Sequence, residues 1–259
     1  SSFSYKLGDA GVVYELLADG ELMCQSDEHT LCRINPNYQN GEVERFTSQL
    51  SFSFRYDSTA DDTPCENAIV KQCYDRFVKR PIERLEIKPR CEAYVSAQGA
   101  FLKPQDETLL AGEWMQKSPF IALSKQEMGF WIEDMYLPSE KGINISSTMG
   151  DGIYFMIDMF RETAGFLDFD IDLPFDTDIY FGIGETITSL RVRTSMDGRQ
   201  FACVYHGKKG RNHFTHRFRR IAGRYLQVQI LAPSATLYYA GIIPTEYKVE
   251  DKGGFVCDD

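Results

Sequence analysis

Hydrophobic and polar residues alternate with a period of two along most of the chain, which is the pattern of half-buried β-strands. Residues 12–17 and 21–24 have this pattern and flank Ala18-Asp19-Gly20, where Asp-Gly predicts a hairpin turn. In residues 46–57, leucine and aromatic side chains alternate with serine and arginine. We therefore predict one half-buried antiparallel strand in that segment.

The second half of the chain is a series of short apolar runs, with a turn signal about every ten residues. No helices of about 10–15 residues alternate with these runs, which argues against a parallel α/β sheet. The pattern predicts an all-β fold built from antiparallel β-sandwich or jelly-roll domains. The predicted strands are GFWIEDMYL, INISST, YFMIDMF, GFLDFDIDL, DIYFGIGE, SLRVRTS, FACVYH, NHFTHRF, RYLQVQIL and LYYAGIIPTEYKV.

Two segments predict short helices. Residues 66–77 follow the turn-forming sequence STADDTP, and residues 107–119 lie where the strand pattern weakens. The strand pattern is weak over residues 103–125, so we place a domain junction there. Since the two predicted helices are short, we expect helix in less than about 15% of the chain. The predicted domains are residues 1–110 and 121–247, and residues 248–259 begin a linker.

Charge and hydropathy exclude several classes of partner. The formal net charge is -10, and an acidic surface disfavours binding to nucleic acid. No apolar run approaches the roughly 20 residues that a transmembrane helix needs, so no membrane partner is expected. The first residues lack the basic and apolar regions of a signal peptide.

The seven cysteines form no C-x-x-C pair, so zinc and thioredoxin-type chemistry have no support. We expect reduced thiols, several of them packed as small apolar side chains. A disulfide between Cys24 and Cys32 is the alternative in an oxidising compartment.

The acidic run LDFDIDLPFDTDIYF has the early spacing of a calcium loop, but the expected Gly and Glu are replaced by Leu173 and Ile179. The strand interpretation puts Asp168, Asp170 and Asp172 on a solvated face, with the intervening apolar residues in the core. A structural calcium site in an adjoining loop is the alternative.

Neither a metal site nor a catalytic constellation stands out. His213 and His216 are three residues apart, so in a strand they point to opposite faces and cannot share an ion. The chain has no G-x-S-x-G elbow, and the sequence around Gly182 lacks the lysine of a P-loop. We therefore predict no catalytic residue, no metal and no cofactor.

The stretch RNHFTHRFRRIAGRYLQVQ (residues 211–229) concentrates arginines in an otherwise acidic chain. In strand register these side chains do not share one face, so they form no single basic stripe. We predict a structural network of arginine–carboxylate pairs. Arg224 is expected to be largely buried and paired with Glu162 or Glu185, and Arg161 belongs to the same set.

The order of motifs in the second half resembles a known family. Its features are a strand ending at Asp158, then RET with GF (residues 161–166), Gly184-Glu185, and GR, FT, FRR and GRYL between residues 210 and 226. Upstream, DGELMCQSDEHTLCR, FTSQLSFSFRYDSTADD and FVKRPIERL match the same pattern. These features resemble the β-sandwich region that precedes the catalytic (α/α)6 barrel in bacterial α-L-rhamnosidases of glycoside hydrolase family 78.

This resemblance implies two β-sandwiches with galactose-binding-like character, the first incomplete at its amino end, and a bacterial source with the cytoplasm or periplasm left open. It implies that the acid and base carboxylates lie in the barrel, which is the expected partner within the same polypeptide, so no catalytic residue carries over. The leading interpretation is a non-catalytic region that braces the barrel. The alternative is a stand-alone carbohydrate-binding module for rhamnose-containing glycans, with Trp131, Tyr154, Tyr180 and Tyr205 as sugar-stacking candidates.

Overall fold

The fold was obtained as a computed structural model and is described for residues 11–39, 43–47, 51–71, 78–121, 135–249 and 253–257. These residues form one short helix and many strands, so the predicted all-β class is confirmed. The strands are β1 (Glu15–Ala18), β2 (Glu21–Gln25), β3 (Leu31–Cys32), β4 (Arg45–Thr47), β5 (Ser51–Phe52), β6 (Arg55–Asp57), β7 (Glu66–Asn67), β8 (Glu86–Ile87), β9 (Ala93–Phe101), β10 (Phe120–Ile121), β11 (Tyr136–Leu137), β12 (Ile143–Ser146), β13 (Gly152–Leu173), β14 (Thr177–Gly184), β15 (Ile187–Thr188), β16 (Arg191–Val192), β17 (Ser195–Met196), β18 (Arg199–Gln200), β19 (Ala202–Gly207), β20 (Gly210–Thr215), β21 (Ile221–Ile230) and β22 (Ser234–Glu246). The helix is α1 (Ala111–Lys117).

The chain divides into two compact units, one made of residues 1–36 and 61–80 and the other of residues 37–60 and 81–259. In the smaller unit, β1 and β2 form the predicted antiparallel hairpin. Its turn is made by Asp19 and Gly20, which have φ values of 52° and 86°. Both values lie in the left-handed region that two-residue hairpin turns require, which explains the Asp-Gly sequence.

The helix predicted for residues 66–77 is wrong in its described part. Glu66–Asn67 is a strand that pairs with β3, and residues 68–71 are not helical. The pairing satisfies backbone groups that an isolated short helix would leave open at both ends. Residues 72–77 lie outside the described part of the chain.

The larger unit is organised around β13, which is 22 residues long. Residues 152–158 of β13 pair with β9 and β21, and residues 168–172 pair with β20 and β22. The main path through the sheet is β10-β9-β13-β21-β14-β19-β6, in which β6 pairs with β19 in parallel. One strand therefore joins two sets of partners.

The main core lies between these two sets of strands. Phe169, from the second half of β13, has its ring centroid 4.7 Å from that of Phe181 on β14 and 4.8 Å from that of Tyr205 on β19. All three side chains are buried, as are Leu226 and Tyr239 on β21 and β22. The two layers thus pack face to face, as in a β-sandwich.

Helix α1 covers the opposite face of the main sheet. Met115 packs there against Tyr180, and the ring of Trp114 stacks on that tyrosine at 4.1 Å. The Thr194 hydroxyl donates to the carbonyl of Gly112 at 2.6 Å, and the Arg191 guanidinium donates to the carbonyl of Met115. The helix predicted for residues 107–119 is confirmed, although it spans only residues 111–117.

Two predicted boundaries differ from the structure. Residues 46–57 do not form one strand, because β4 and β5 pair with each other and β6 pairs with β19. The junction placed at residues 103–125 does not coincide with the boundary between the compact units, because β9 and β10 belong to the sheet built on β13. No helix in the described ranges is long and apolar enough to cross a membrane.

Candidate functional site

Of the three acids that the sequence places on a solvated face of β13, two are buried and the third, Asp172, is half-buried, so the prediction is wrong. Asp168 and Asp170 are both buried, as are the intervening Phe169 and Ile171. Here β20 and β22 pair with the two edges of β13, and the successive side chains of residues 167–171, which alternate between its faces, are all buried. This segment is therefore covered on both faces. A buried carboxylate requires a cationic partner, and each of the two has an arginine.

Asp168 pairs with Arg90, which precedes β9. The Arg90 guanidinium donates to both carboxylate oxygens at 3.0 Å, and its Nε lies 3.3 Å from Oδ2. The carboxylate side chain is 1% exposed, and burial raises its pKa while Arg90 opposes the shift. His213 completes the group, with its Nε2 2.9 Å from Arg90 Nη2 and 3.6 Å from Asp168 Oδ1.

Asp170 pairs with Arg211 through two hydrogen bonds of 2.7 and 2.8 Å, in the bidentate geometry that suits a guanidinium. These hydrogen bonds lower the pKa of Asp170, so the carboxylate is ionised at neutral pH. The guanidinium carbon also lies 3.9 Å from the ring centroid of Tyr238. Arg211 is therefore held from both sides and closes the buried acid off from water.

Arg224 pairs with Asp158. The predicted partners, Glu162 and Glu185, are therefore wrong. The Nε–Oδ1 and Nη2–Oδ2 distances are 2.8 and 2.9 Å, and the pKa of Asp158 is lowered by these hydrogen bonds. The Arg224 side chain is 40% exposed, so it is not buried as predicted. The reason is a bulge after Asp158, which removes residues 159–162 from the register with β21.

The bulge also decides the positions of the other predicted ion-pair residues. Arg161 and Glu162 are exposed, and Arg161 makes a contact of 3.6 Å with Glu246. The pKa of Glu162 is raised by partial burial and by the nearby carboxylate of Glu185. These two acids therefore repel each other instead of competing for Arg224.

The rest of the arginine stretch also serves packing. The guanidinium of Arg219 lies over the ring of Phe46 at 3.7 Å, and Arg220 donates to the hydroxyl and carbonyl oxygens of Thr245. His216 is buried and stacks on Phe54 at 4.1 Å, whereas His213 is exposed. The two histidines thus lie on opposite faces, as their spacing predicts.

Three of the four predicted sugar-stacking residues are buried, and the fourth, Trp131, lies outside the described residues. Tyr154 stacks on Phe120 at 3.8 Å, and Tyr180 lies under Trp114. Tyr205 packs in the main core. Burial also raises the pKa of Tyr154 and Tyr205 and takes that of Tyr180 to about 12. Because the three rings are buried, they cannot offer a face to a ligand in solution.

Two concave regions differ in character. An enclosed apolar cavity of about 10 Å³ lies between Phe46, Phe54, Cys203 and His216, and is too small for a sugar. A wide groove of about 690 Å³ is lined by Arg220, Tyr247 and their neighbours, with both signs of charge. Across the part of the chain that the structure describes, no three metal-ligating side chains converge. The six cysteines in that part, Cys24 and Cys32 among them, are free thiols.

Sequence reasoning missed Arg90, Asp158, Asp168 and Asp170 as paired residues. The alternation predicts one buried and one solvent-exposed face, whereas β13 is buried on both faces in its second half. The aspartates alternate with the apolar residues of this segment, so the sequence resembles a half-exposed strand and gives no signal of burial on both faces. Arg90 gave no signal, since it comes from a distant part of the sequence.

Comparison with solved structures finds partial similarity to rhamnosidases. The GH78 family rhamnosidase of Bacillus sp. GL1 is 20% identical with a TM-score of 0.43, and the match covers 56% of this chain and 15% of that one. The α-L-rhamnosidase from Dictyoglumus thermophilum is 14% identical with a TM-score of 0.42, over 93% of this chain and 22% of that one. The rhamnosidase from Klebsiella oxytoca with rhamnose bound is 12% identical, with a TM-score of 0.33, over 62% and 29%. No protein-family model and no curated protein matches the chain.

Proposed function

We propose that these residues form a non-catalytic β-rich region of an α-L-rhamnosidase-type glycoside hydrolase. The region braces the catalytic barrel of the same polypeptide. The order of motifs along the sequence supports this assignment to a family, and the arrangement of the carboxylates supports a role without catalysis.

The observation that carries the proposal is that three carboxylates of β13, those of Asp158, Asp168 and Asp170, each have an arginine partner. Hydrolysis of a glycosidic bond needs two carboxyl groups on either side of the sugar, and one of them must be free to donate a proton. Asp158 and Asp170 have pKa values lowered by their arginines, and Asp168 is buried under Arg90. None of the three is placed to act as a general acid, so these groups hold strands together.

The second candidate function is a stand-alone carbohydrate-binding module. Tyr154, Tyr180 and Tyr205, which the sequence suggested as sugar-stacking residues for it, are buried in the core. Binding of rhamnose-containing glycans by this region then depends on other surface residues.

The test is an activity assay with the purified chain and an aryl α-L-rhamnoside, followed over hours against a buffer blank. We expect no release of the aryl group, because Asp158, Asp168 and Asp170 are each held by an arginine. Asp168→Asn and Asp158→Asn variants serve as matched controls. Turnover that survives repurification and disappears in one of these variants would show that the region is catalytic after all.

A further inference from the structure

A row of side chains crosses four strands on the face of the main sheet that also carries α1. Tyr136 on β11 lies opposite Tyr94 on β9, Tyr94 lies opposite Asp158 on β13, and Asp158 lies opposite Tyr225 on β21. Directly opposite residues of antiparallel strands project from the same face with their Cβ atoms about 5 Å apart. The four side chains therefore form one continuous row.

Phe160 joins this row because of the bulge in β13. Its backbone has a φ of 63°, a left-handed conformation that is rare for a bulky side chain. Its N–H donates to Oδ1 of Asp158 at 2.8 Å, which fixes the turn. The Phe160 ring lies 6.4 Å from that of Tyr136 at an angle of 29°, and Tyr136 lies 5.1 Å from Tyr94. We call Tyr94, Tyr136, Phe160 and Tyr225, with the Asp158–Arg224 pair, the aromatic row.

The aromatic row combines exposed aromatic side chains with a polar centre. Tyr136 is 61% exposed and Phe160 is 48% exposed. Large apolar side chains that cluster at the surface mark a binding surface more often than scattered single ones do. Backbone strain of this kind persists only where the surrounding structure enforces it, and it is concentrated at functional sites. The left-handed conformation of Phe160 brings its ring to the same surface as Tyr136.

The ion pair in the centre selects the chemistry of a ligand. Arg224 donates two of its five N–H groups to Asp158, so three N–H groups remain for other acceptors. Asp158 is ionised and its charge is balanced by the guanidinium, so the site presents hydrogen-bonding groups without net charge. A neutral ligand with one apolar face and several hydroxyl groups fits both the aromatic side chains and the ion pair. A purely apolar ligand would leave the polar groups of the ion pair without hydrogen-bond partners.

We propose that the aromatic row binds a neutral monosaccharide ring, with its C–H face on Tyr136 and Phe160 and its hydroxyl groups on Arg224 and Asp158. The location rests on the geometry, and the choice of L-rhamnose as the first probe rests on the proposed function.

The test measures dissociation constants by NMR titration of the isotopically labelled chain with L-rhamnose, D-glucose and D-glucuronate. We expect saturable binding of a neutral sugar that Tyr136→Ala weakens by about tenfold, since one stacked ring is lost. Tyr136→Phe keeps the ring and should retain binding within about twofold. Arg224→Met should weaken binding while a circular dichroism spectrum confirms the fold.

Two further variants are matched controls. Phe175→Ala removes a phenylalanine that is 45% exposed, and Tyr247→Ala removes an exposed tyrosine of the wide groove. Neither should change sugar affinity, and loss of binding in Tyr247→Ala would place the sugar in the groove and overturn the proposal. Unchanged binding in Tyr136→Ala, tighter binding of glucuronate, or no saturable binding of any probe would also overturn it. If no sugar binds and no rhamnoside is hydrolysed, the proposal of a sugar site is wrong but the non-catalytic scaffold function stands. If rhamnoside is hydrolysed, the scaffold function is wrong, and the sugar site is judged by the titration alone.

Discussion

The arginine–aspartate pairs of β13 differ in how much of each carboxylate reaches water. The Asp168 side chain is 1% exposed, whereas that of Asp158 is 17% exposed and its partner Arg224 is 40% exposed. Removing the cation from a buried pair leaves a charge without compensation, while an exposed charge is solvated instead. The two pairs should therefore respond very differently to the same substitution.

We predict that Arg90→Met lowers the free energy of unfolding by about 3–5 kcal/mol, because Asp168 loses its cation inside the protein. Arg224→Met should have a much smaller effect, because its partner Asp158 stays partly solvated. Urea unfolding at pH 7 followed by circular dichroism measures both. Equal losses in the two variants would contradict the difference in burial, and Asp168→Asn combined with Arg90→Met should recover part of the loss.

His216 gives the stability of the protein a pH dependence. Burial lowers its pKa to about 4, and Arg219 shifts the pKa in the same direction. An unfolded histidine has a pKa of about 6.5, so between these pH values the unfolded chain binds a proton that the folded protein does not. This contribution to stability is complete above about pH 6.5 and decreases as the pH falls towards about 4.

Between pH 7 and pH 4.5 the free energy of unfolding should therefore fall by about 2 kcal/mol on account of His216. Urea unfolding at the two pH values measures the change, and His216→Phe should remove most of it. His29→Phe, at an exposed histidine, should keep the pH dependence of the parent protein. A His216→Phe variant with an unaltered pH dependence would assign the effect to other groups.

For single residues, the sequence predicted correctly that arginines form ion pairs with carboxylates, but it did not predict which carboxylates. An acidic chain with clustered arginines indicates ion pairs, and Arg211 and Arg224 of that cluster each make one. Which carboxylate each arginine meets depends on the bulge at Asp158 and on the pairing of distant strands. The side-chain alternation carries no information about either.

Strand β13 is the element that connects the two layers, and Gly165 lies where its partners change from β21 to β22. A Cβ atom at this position would overlap the carbonyl oxygen of Ile243 on β22. The close approach of the two backbones explains why glycine is required there.

Gly165→Ala should lower the free energy of unfolding by about 2–3 kcal/mol, because backbone atoms must shift to admit the methyl group. Gly253→Ala is the matched control, since a Cβ at Gly253 has no neighbour within 4 Å. Thermal unfolding of both variants measures the effect. A Gly165→Ala variant as stable as the control would show that β13 and β22 can separate at no cost.

Local sequence signals predicted the elements that local interactions make. The β1–β2 hairpin follows from Asp-Gly, and α1 follows from a helical pattern that ends near Pro119. The signal failed for residues 46–57, where one alternating pattern is divided among three short strands with different partners. Periodicity tells which face of a strand is apolar, but the partner of each strand is decided by contacts far apart in the sequence.

The two compact units differ in how much apolar surface they bury. In the smaller unit, Leu16, Leu17, Leu22 and Met23 on β1 and β2 are all more than half exposed. The larger unit contains both hydrophobic clusters found among the described residues. Hydrophobic burial is the main favourable contribution to folding, so the free energy that protects the backbone should be distributed just as unevenly.

Hydrogen exchange followed by mass spectrometry tests this difference on the intact chain. A two-stranded hairpin with both faces exposed is at best marginally stable, so amides of residues 15–25 should exchange within about a minute at neutral pH. Residues 152–158 and 168–172 belong to segments of β13 that are paired with a strand on each edge and lie in the core. Their exchange requires opening of the whole larger unit, so it should be slower by several orders of magnitude and should accelerate in Gly165→Ala.

Exchange in residues 15–25 should be the same in that variant, because the smaller unit has its own strand pairs. If residues 15–25 were instead protected as strongly as β13, the apolar side chains of the hairpin would have to be covered in solution, and the exposed surface of the smaller unit would be an interface.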